Sequence, residues 1–442
     1  MKFKFLAMAA AVAATATSAG AADLNKPAKA AVDYVKVCDA YGAGFFYIPG
    51  SDTCLKIGGR VYFDVRTGTG AYNRIAGSTT ANTIATNSRT FTPFYTRDAI
   101  YFNLDARSNT EFGLLRSFEE LRVRYTTNQS AAGPEIDLTY GYVQWGGFTA
   151  GKARSFYDFT PAGYTMGFDY VAYQTNTLLN TVGYTANFGN GVTGTIALQD
   201  STTADGTYNM ILRNEGTALN AAFTTDNYGG NQMPDVVANL NVTQAWGSAQ
   251  ISGVLHQDYS ASAAVGSKMG YAIDAGAEFK LDQIAKGDKV AVNGGYSVGG
   301  VGYITPFDSG AGTIGKSFRP GNYIGEDWAV DGGAMRQTKA WGVVGSFEHN
   351  FNPNFLVDVD LSYVGVNGYN NRSESTTTAA ATLKWIPTAD RNFYIGFEAE
   401  YGSINYTSAT KTAYAAAAPT GGYGTLANAS GAEFGIRVNR GF

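Results

Sequence analysis

LKIGGRVYFDVR, residues 55–66, puts Leu55, Ile57, Gly59, Val61, Phe63 and Val65 on one side and Lys56, Gly58, Arg60, Tyr62, Asp64 and Arg66 on the other. Successive side chains of an extended chain point to opposite faces, so the stretch reads as a β-strand with an apolar row and a charged row. A water-soluble sandwich turns the apolar row inward. A barrel closed in lipid does the reverse, with the apolar row against hydrocarbon and the charged row around a wet lumen. This strand by itself fits both.

Repetition separates them. Alternating runs recur at 94–107, 112–125, 136–145, 148–154, 178–188, 192–200, 235–244, 248–258, 269–281, 289–300, 337–351, 355–366, 376–386, 392–406 and 430–442. With the first run they make sixteen, an even number. Short connections of turn-forming residues, such as Gly146-Gly147 and Gly189 to Gly191, alternate with long polar or Gly-rich ones near 67–93, 155–177, 201–234, 301–336 and 407–429. Short turns at one end and long loops at the other suit an outer-membrane barrel, and a sandwich has no reason to sort its loops this way. The last run, GAEFGIRVNRGF, alternates Phe434, Ile436 and Val438 with Glu433, Arg437 and Asn439. Strand edges in a bilayer must be paired, so it is expected to close against the first strand. The expected fold is all-β, a sixteen-stranded antiparallel transmembrane β-barrel over residues 55–442.

One connection departs from the pattern. Residues 152–180, KARSFYDFTPAGYTMGFDYVAYQTNTLLN, are too many for a hairpin turn, rich in Tyr and Phe, and carry Asp158 and Asp169. Such a connection needs something to lie against. It is expected to fold into the lumen as a constriction. Asp158 and Asp169 would then face wall charges at Arg60, Arg97, Arg122 and Arg124, and opposed charges across a narrow aqueous gap orient dipolar solutes.

Composition agrees, with 55 Gly, 29 Tyr, 26 Phe and only 15% charged residues. MKFKFLAMAAAVAATATSAGA, residues 1–21, has the basic start, apolar stretch and small-residue end of a signal peptide, leaving 22–54 as an N-terminal segment. Beyond it no apolar run is long enough for a transmembrane helix, which says nothing against a barrel. The formal net charge of −4 offers no basic surplus for nucleic acid. In an exported chain Cys38 and Cys54 are expected to form a disulfide, worth roughly 3 kcal/mol in the chain-entropy picture. No metal site or other cofactor is expected, because His256 and His349 lack ligand spacing. GAGTIGKS at 310–317 satisfies a phosphate-loop pattern, but Phe318-Arg319-Pro320-Gly321 follows where a helix is required. No G-x-S-x-G occurs, and an enzyme is not expected.

ADLNKPAKAA at 22–31, VCDAYGAGFFYIPGSDTCLKIGGRVYFDV at 37–65, YVQWGGFTAGKARSFYDF at 142–159 and GIRVNRGF at 435–442 together resemble the alphaproteobacterial general porins. The resemblance implies a homotrimer in outer-membrane lipid that passes small hydrophilic solutes and ions passively. It also implies that the loop after FTAGKARS narrows the pore. Two other functions fit a barrel: a surface adhesin or receptor with a plugged lumen, and a barrel lipase or protease.

Overall fold

The computed structural model describes residues 36–68, 74–75, 91–92, 94–127, 133–159, 163–167, 172–173, 176–201, 229, 232–305, 327–331, 333–417 and 428–442. The signal segment 1–21, Asp169 and the motif at 310–317 lie outside them. Sixteen long strands build the wall: β1 Cys54–Gly68, β2 Phe94–Thr110, β3 Gly113–Thr126, β4 Glu135–Trp145, β5 Phe148–Arg154, β6 Leu178–Gly189, β7 Val192–Gln199 and β8 Asp235–Gln244, then β9 Gly247–Tyr259, β10 Ser267–Lys280, β11 Lys289–Val298, β12 Lys339–Asn352, β13 Phe355–Asn367, β14 Ser373–Trp385, β15 Phe393–Tyr406 and β16 Ala429–Gly441. Each pairs antiparallel with its neighbours in sequence, and β16 returns to β1. The expected boundaries hold to within a few residues because the period-two pattern breaks where a turn begins.

The seam shows how the edge of β1 is satisfied. Arg60 to Gly68 pair with Gly441 to Glu433. One residue on, Gly59 exchanges both backbone bonds with the terminal Phe442, at 3.0 and 3.1 Å. Further down, Cys54 and Leu55 pair with Tyr47 and Phe46. Gly59 is required there: a Cβ would stand 2.2 Å from the Tyr101 carbonyl oxygen on the other side. The Gly189-Asn190-Gly191 turn between β6 and β7 runs through positive φ at all three residues, which explains its composition.

Orientation is that of a membrane barrel. Val61, Phe63, Ile436 and Val438 stand 40–46% exposed on the outer face, while Asp64, Arg66 and Arg437 are buried inside. Trp145, Trp246, Trp385 and Phe442 are exposed at the short-turn end, where an aromatic girdle meets the membrane interface. Cys38 and Cys54 are joined with their Cα atoms 6.0 Å apart, and they pack with Phe45 in a buried cluster beside the start of β1.

Two long connections hold structure that the pattern does not announce. Between β11 and β12 lie a 3-10 turn, Val301–Tyr303, and a hairpin of Trp328–Asp331 with Ala334–Gln337. Between β15 and β16 a helix runs over Ser408–Ala417, and the Thr407 hydroxyl accepts from the Thr410 N–H at 3.3 Å as its cap.

Candidate functional site

The connection from β5 to β6 turns into the barrel at Ser155. A chain segment inside a wall of paired strands has no ladder to join, so its backbone N–H groups must find side chains or water. The wall supplies them in order around the barrel. On β8, Asn239 donates to the Phe156 carbonyl at 2.6 Å; on β9, Ser252 donates to the Tyr157 carbonyl at 2.7 Å. Ser346 on β12 accepts from Gly163 N–H at 2.8 Å. Asp360 on β13 takes three bonds, from the Tyr164 and Thr165 N–H groups and the Thr165 hydroxyl, at 3.0, 2.9 and 2.6 Å. Met166 N–H reaches Glu398 on β15 at 2.7 Å, and its carbonyl accepts from Arg437 on β16 at 2.9 Å.

Returning, Ala172 and Tyr173 donate from their N–H groups to Thr378 and Ser362. The Tyr164 hydroxyl donates to Glu278 at 2.6 Å, and that of Tyr173 to Asp274. Tyr157, Phe159, Ala172 and Tyr173 are buried against the wall. The loop, which also bonds Gln199 on β7 through the Ser155 hydroxyl at 2.8 Å, is thus a strap along β7 to β16, held chiefly by side chains of the inward rows.

The opposite face carries guanidinium groups. Asp64 on β1 binds Arg66 at 2.5 Å and Arg437 at 2.6 and 2.8 Å. Arg122 pairs with Asp137 at 2.7 Å and Arg124 with Glu135 at 2.5 Å, both between β3 and β4. Arg97 donates to the Thr126 hydroxyl at 3.1 Å. Arg60, exposed to the lumen, stacks 4.0 Å over the Tyr101 ring.

A sequence profile described as the porin subfamily matches residues 23–423. The chain belongs to that family. It is similar to porin Omp2b of Brucella suis, 35% identical over 275 residues that cover 58% of this chain and 67% of the relative. Omp2b of Brucella abortus strain 2308 is 34% identical over 273 residues, 58% of this chain and 66% of that one. The aligned part spans about two thirds of these relatives' length. Among solved structures, the outer membrane channel DcaP of Acinetobacter baumannii superposes with a TM-score of 0.61 at 14% identity, over 90% of this chain and 99% of that one, which shows a shared fold. The porin is therefore an outer-membrane β-barrel for passive diffusion.

Of the residues named from the sequence, the porin brings Arg97, Arg122 and Arg124 together on β2 and β3, with Arg60 beside them on β1. Asp158 is not among them, a correction to the expected arrangement. Its carboxylate turns back to accept from the Thr177 N–H and lies 3.2 Å from the Thr177 hydroxyl, closing the neck of the loop. The neck buries both ends of the loop, and the nearest acceptor for the Thr177 N–H is this side chain. Burial pushes the Asp158 carboxyl up to about 7, against the lowering effect of its bonds to Thr177 and of Arg154. Asp169 lies outside the described residues.

Sequence reasoning missed Arg66 and Arg437, although they share the polar row with Arg60 and Asp64. It also missed Asp360 and Glu398, whose task is visible only once the loop lies on them.

Proposed function

We propose that small hydrophilic solutes and ions pass between the infolded loop and the arginine face of β16, β1, β2 and β3. The observation that carries this reading is that the hydrogen bonds from the described loop residues to the wall run from Gln199 on β7 to Arg437 on β16. On the passage side Arg60 is exposed, while Arg97, Arg122 and Arg124 share the inward rows and are buried. Carboxylates lie under the loop and guanidinium groups lie across from it, an arrangement that produces a transverse field. A polar solute with separated partial charges aligns in such a field and exchanges hydration for wall contacts, whereas an apolar solute gains nothing. Asp169 remains the candidate loop acid opposite the arginines.

The porin acts as a homotrimer, a reading that rests on its resemblance to the general porins. Planar bilayer recording on the purified protein tests both parts. Conductance is expected to rise in steps that close in threes, and a silent membrane sinks the channel reading. Single independent steps sink the trimer.

A further inference from the structure

Nearer the short-turn end than Arg97, Arg122 and Arg124, the arginine face changes character. The inward rows of β1 to β4 meet there in register: Lys56 stands opposite Asp105, Asp105 opposite Phe118 and Phe118 opposite Tyr142. One row closer to the end, Cys54 stands opposite Arg107, and Arg107 opposite Arg116. Four strands thus bring three cations and a group of aromatic rings onto one patch of the lumen wall.

The cations outnumber their acid. Arg107 gives Asp105 its Nε and Nη2 protons at 2.9 and 2.7 Å, and Arg116 does the same at 2.9 and 3.0 Å. Arg116 uses Nη1 on Gln144 at 3.1 Å, whereas Arg107 Nη1 has no bond among the described residues. Lys56 is exposed and makes no hydrogen bond or ion pair among the described residues. Three cations against one carboxylate leave a formal surplus of two. Glu120, one row further up, has Arg60 and Arg122 near it instead.

Lys56 and Arg107 stand on one ring. Their charges lie 5.9 and 4.9 Å from the Phe45 centroid, and Tyr41 packs against Phe45 at 5.9 Å. Phe45 is buried with Cys38 and Cys54, so the disulfide segment fixes that ring beneath both side chains. A ring face attracts a cation without neutralising it. The charge stays available to an anion arriving from the lumen.

The neighbouring strands add an apolar surface. Phe118, Tyr140 and Tyr142 lie 5.5–6.4 Å apart, centre to centre, and all three are partly exposed. Apolar ring surface left against water is unfavourable by about 25 cal/mol per Å². Ligand sites combine aromatic lining of this kind with a few placed charges. Adjacent strands lie about 4.8 Å apart, so Phe118 is one strand from Arg107 and two from Lys56, within reach of a single ring that carries a carboxylate.

We propose that this patch binds small planar organic anions of the aromatic carboxylate class, with the carboxylate between Lys56 and Arg107 and the ring against Phe118 and Tyr142. The inference rests on the diffusion path proposed above and names a solute class that pauses on it. The N-terminal disulfide segment gains a role in solute choice, as the support of the two cations.

The test is equilibrium dialysis of the folded protein in detergent against radiolabelled benzoate, beside bilayer recording with benzoate on both sides. Saturable binding of one benzoate per chain is expected, together with brief interruptions of the ion current. Acetate, which has the charge without the ring, and benzyl alcohol, which has the ring without the charge, should compete poorly at equal concentration. Lys56→Gln is expected to weaken binding about tenfold, and Phe118→Leu about threefold, with Phe118→Tyr restoring it. Lys280→Gln, an exposed lysine on β10, leaves it unchanged. Folding of each variant is checked by heat-modifiable gel mobility. A conducting native channel that binds no benzoate, equal competition by acetate, or full binding by both folded Lys56→Gln and Phe118→Leu proteins overturns the site alone. Saturable binding beneath a silent membrane supports the site and sinks the diffusion path.

Discussion

Two regions of the lumen wall are made from the same kind of residue row and use it differently. On β8 to β15 several inward polar side chains bind the infolded loop: Asp360 alone takes three bonds from it, and Glu398 a fourth. On β16 and β1 to β4 they bind one another, Asp64 with Arg66 and Arg437, Arg124 with Glu135, and Arg437 alone also reaches the loop. One wall therefore acts as a cradle, and the other as a charged surface whose guanidinium groups are buried among polar partners, apart from the exposed Arg60. What decides between the roles is whether buried N–H groups lie opposite, because each one left without an acceptor costs about 1–3 kcal/mol.

Removing the cradle's contents is the strongest way to break this contrast. Deletion of residues 156–173 is expected to raise single-channel conductance severalfold while the barrel still migrates as folded; an unchanged conductance means the loop does not narrow the path. Asp64→Asn attacks the other side. It leaves two buried guanidinium groups short of an anion at the seam, a loss of about 3–5 kcal/mol. The gel-shift unfolding temperature should fall, and a wild-type temperature would show that the arginine face is not structural.

Asp360→Ala is a smaller cut into the cradle. Two loop N–H groups lose their acceptor, so open-channel noise should rise with only a modest gain in mean conductance, and quiet wild-type traces would mean that the strap is held elsewhere. Arg122→Gln with Arg124→Gln sharpens the open side. Losing fixed positive charge should move the reversal potential in a salt gradient toward cation preference, and no movement excludes these side chains from the narrow zone.

The least effect is expected from pH. The Asp158 carboxyl is raised to about 7 from its ordinary 3.8. The folded neck thus holds its proton more tightly than the unfolded chain does, and its stabilisation is present at low pH and lost as pH rises toward 7. Channel noise should grow over that window in the native protein, and Asp158→Asn should flatten the trend. A slope that survives the substitution assigns it to another group.

The barrel was legible because its signal is repeated and local. Val61 and Phe63 against Arg60 and Asp64 state a face, and the same statement recurs along the chain until only closure satisfies every edge. Arg97, Arg122 and Arg124 could be picked out as lumen residues for the same reason. Asp158 could not be aimed, since its partner Thr177 sits on the far side of the same loop, and alternation is silent about irregular backbone. Asp360 looked like any inward acid until Tyr164 and Thr165 were seen to lie on it.

What the sequence determined by itself is the strand count, the parity of the clearly alternating runs, though not of 136–145, and the reversal of inside and outside, all consequences of a period of two read over short distances. Only the tertiary structure decided which part of the wall the loop covers, that Arg60 is exposed while Arg97, Arg122 and Arg124 are buried, and that His256, Asp258 and Asp327 lie together. Those facts depend on contacts between residues from tens to hundreds of positions apart, and no local periodicity encodes such a meeting.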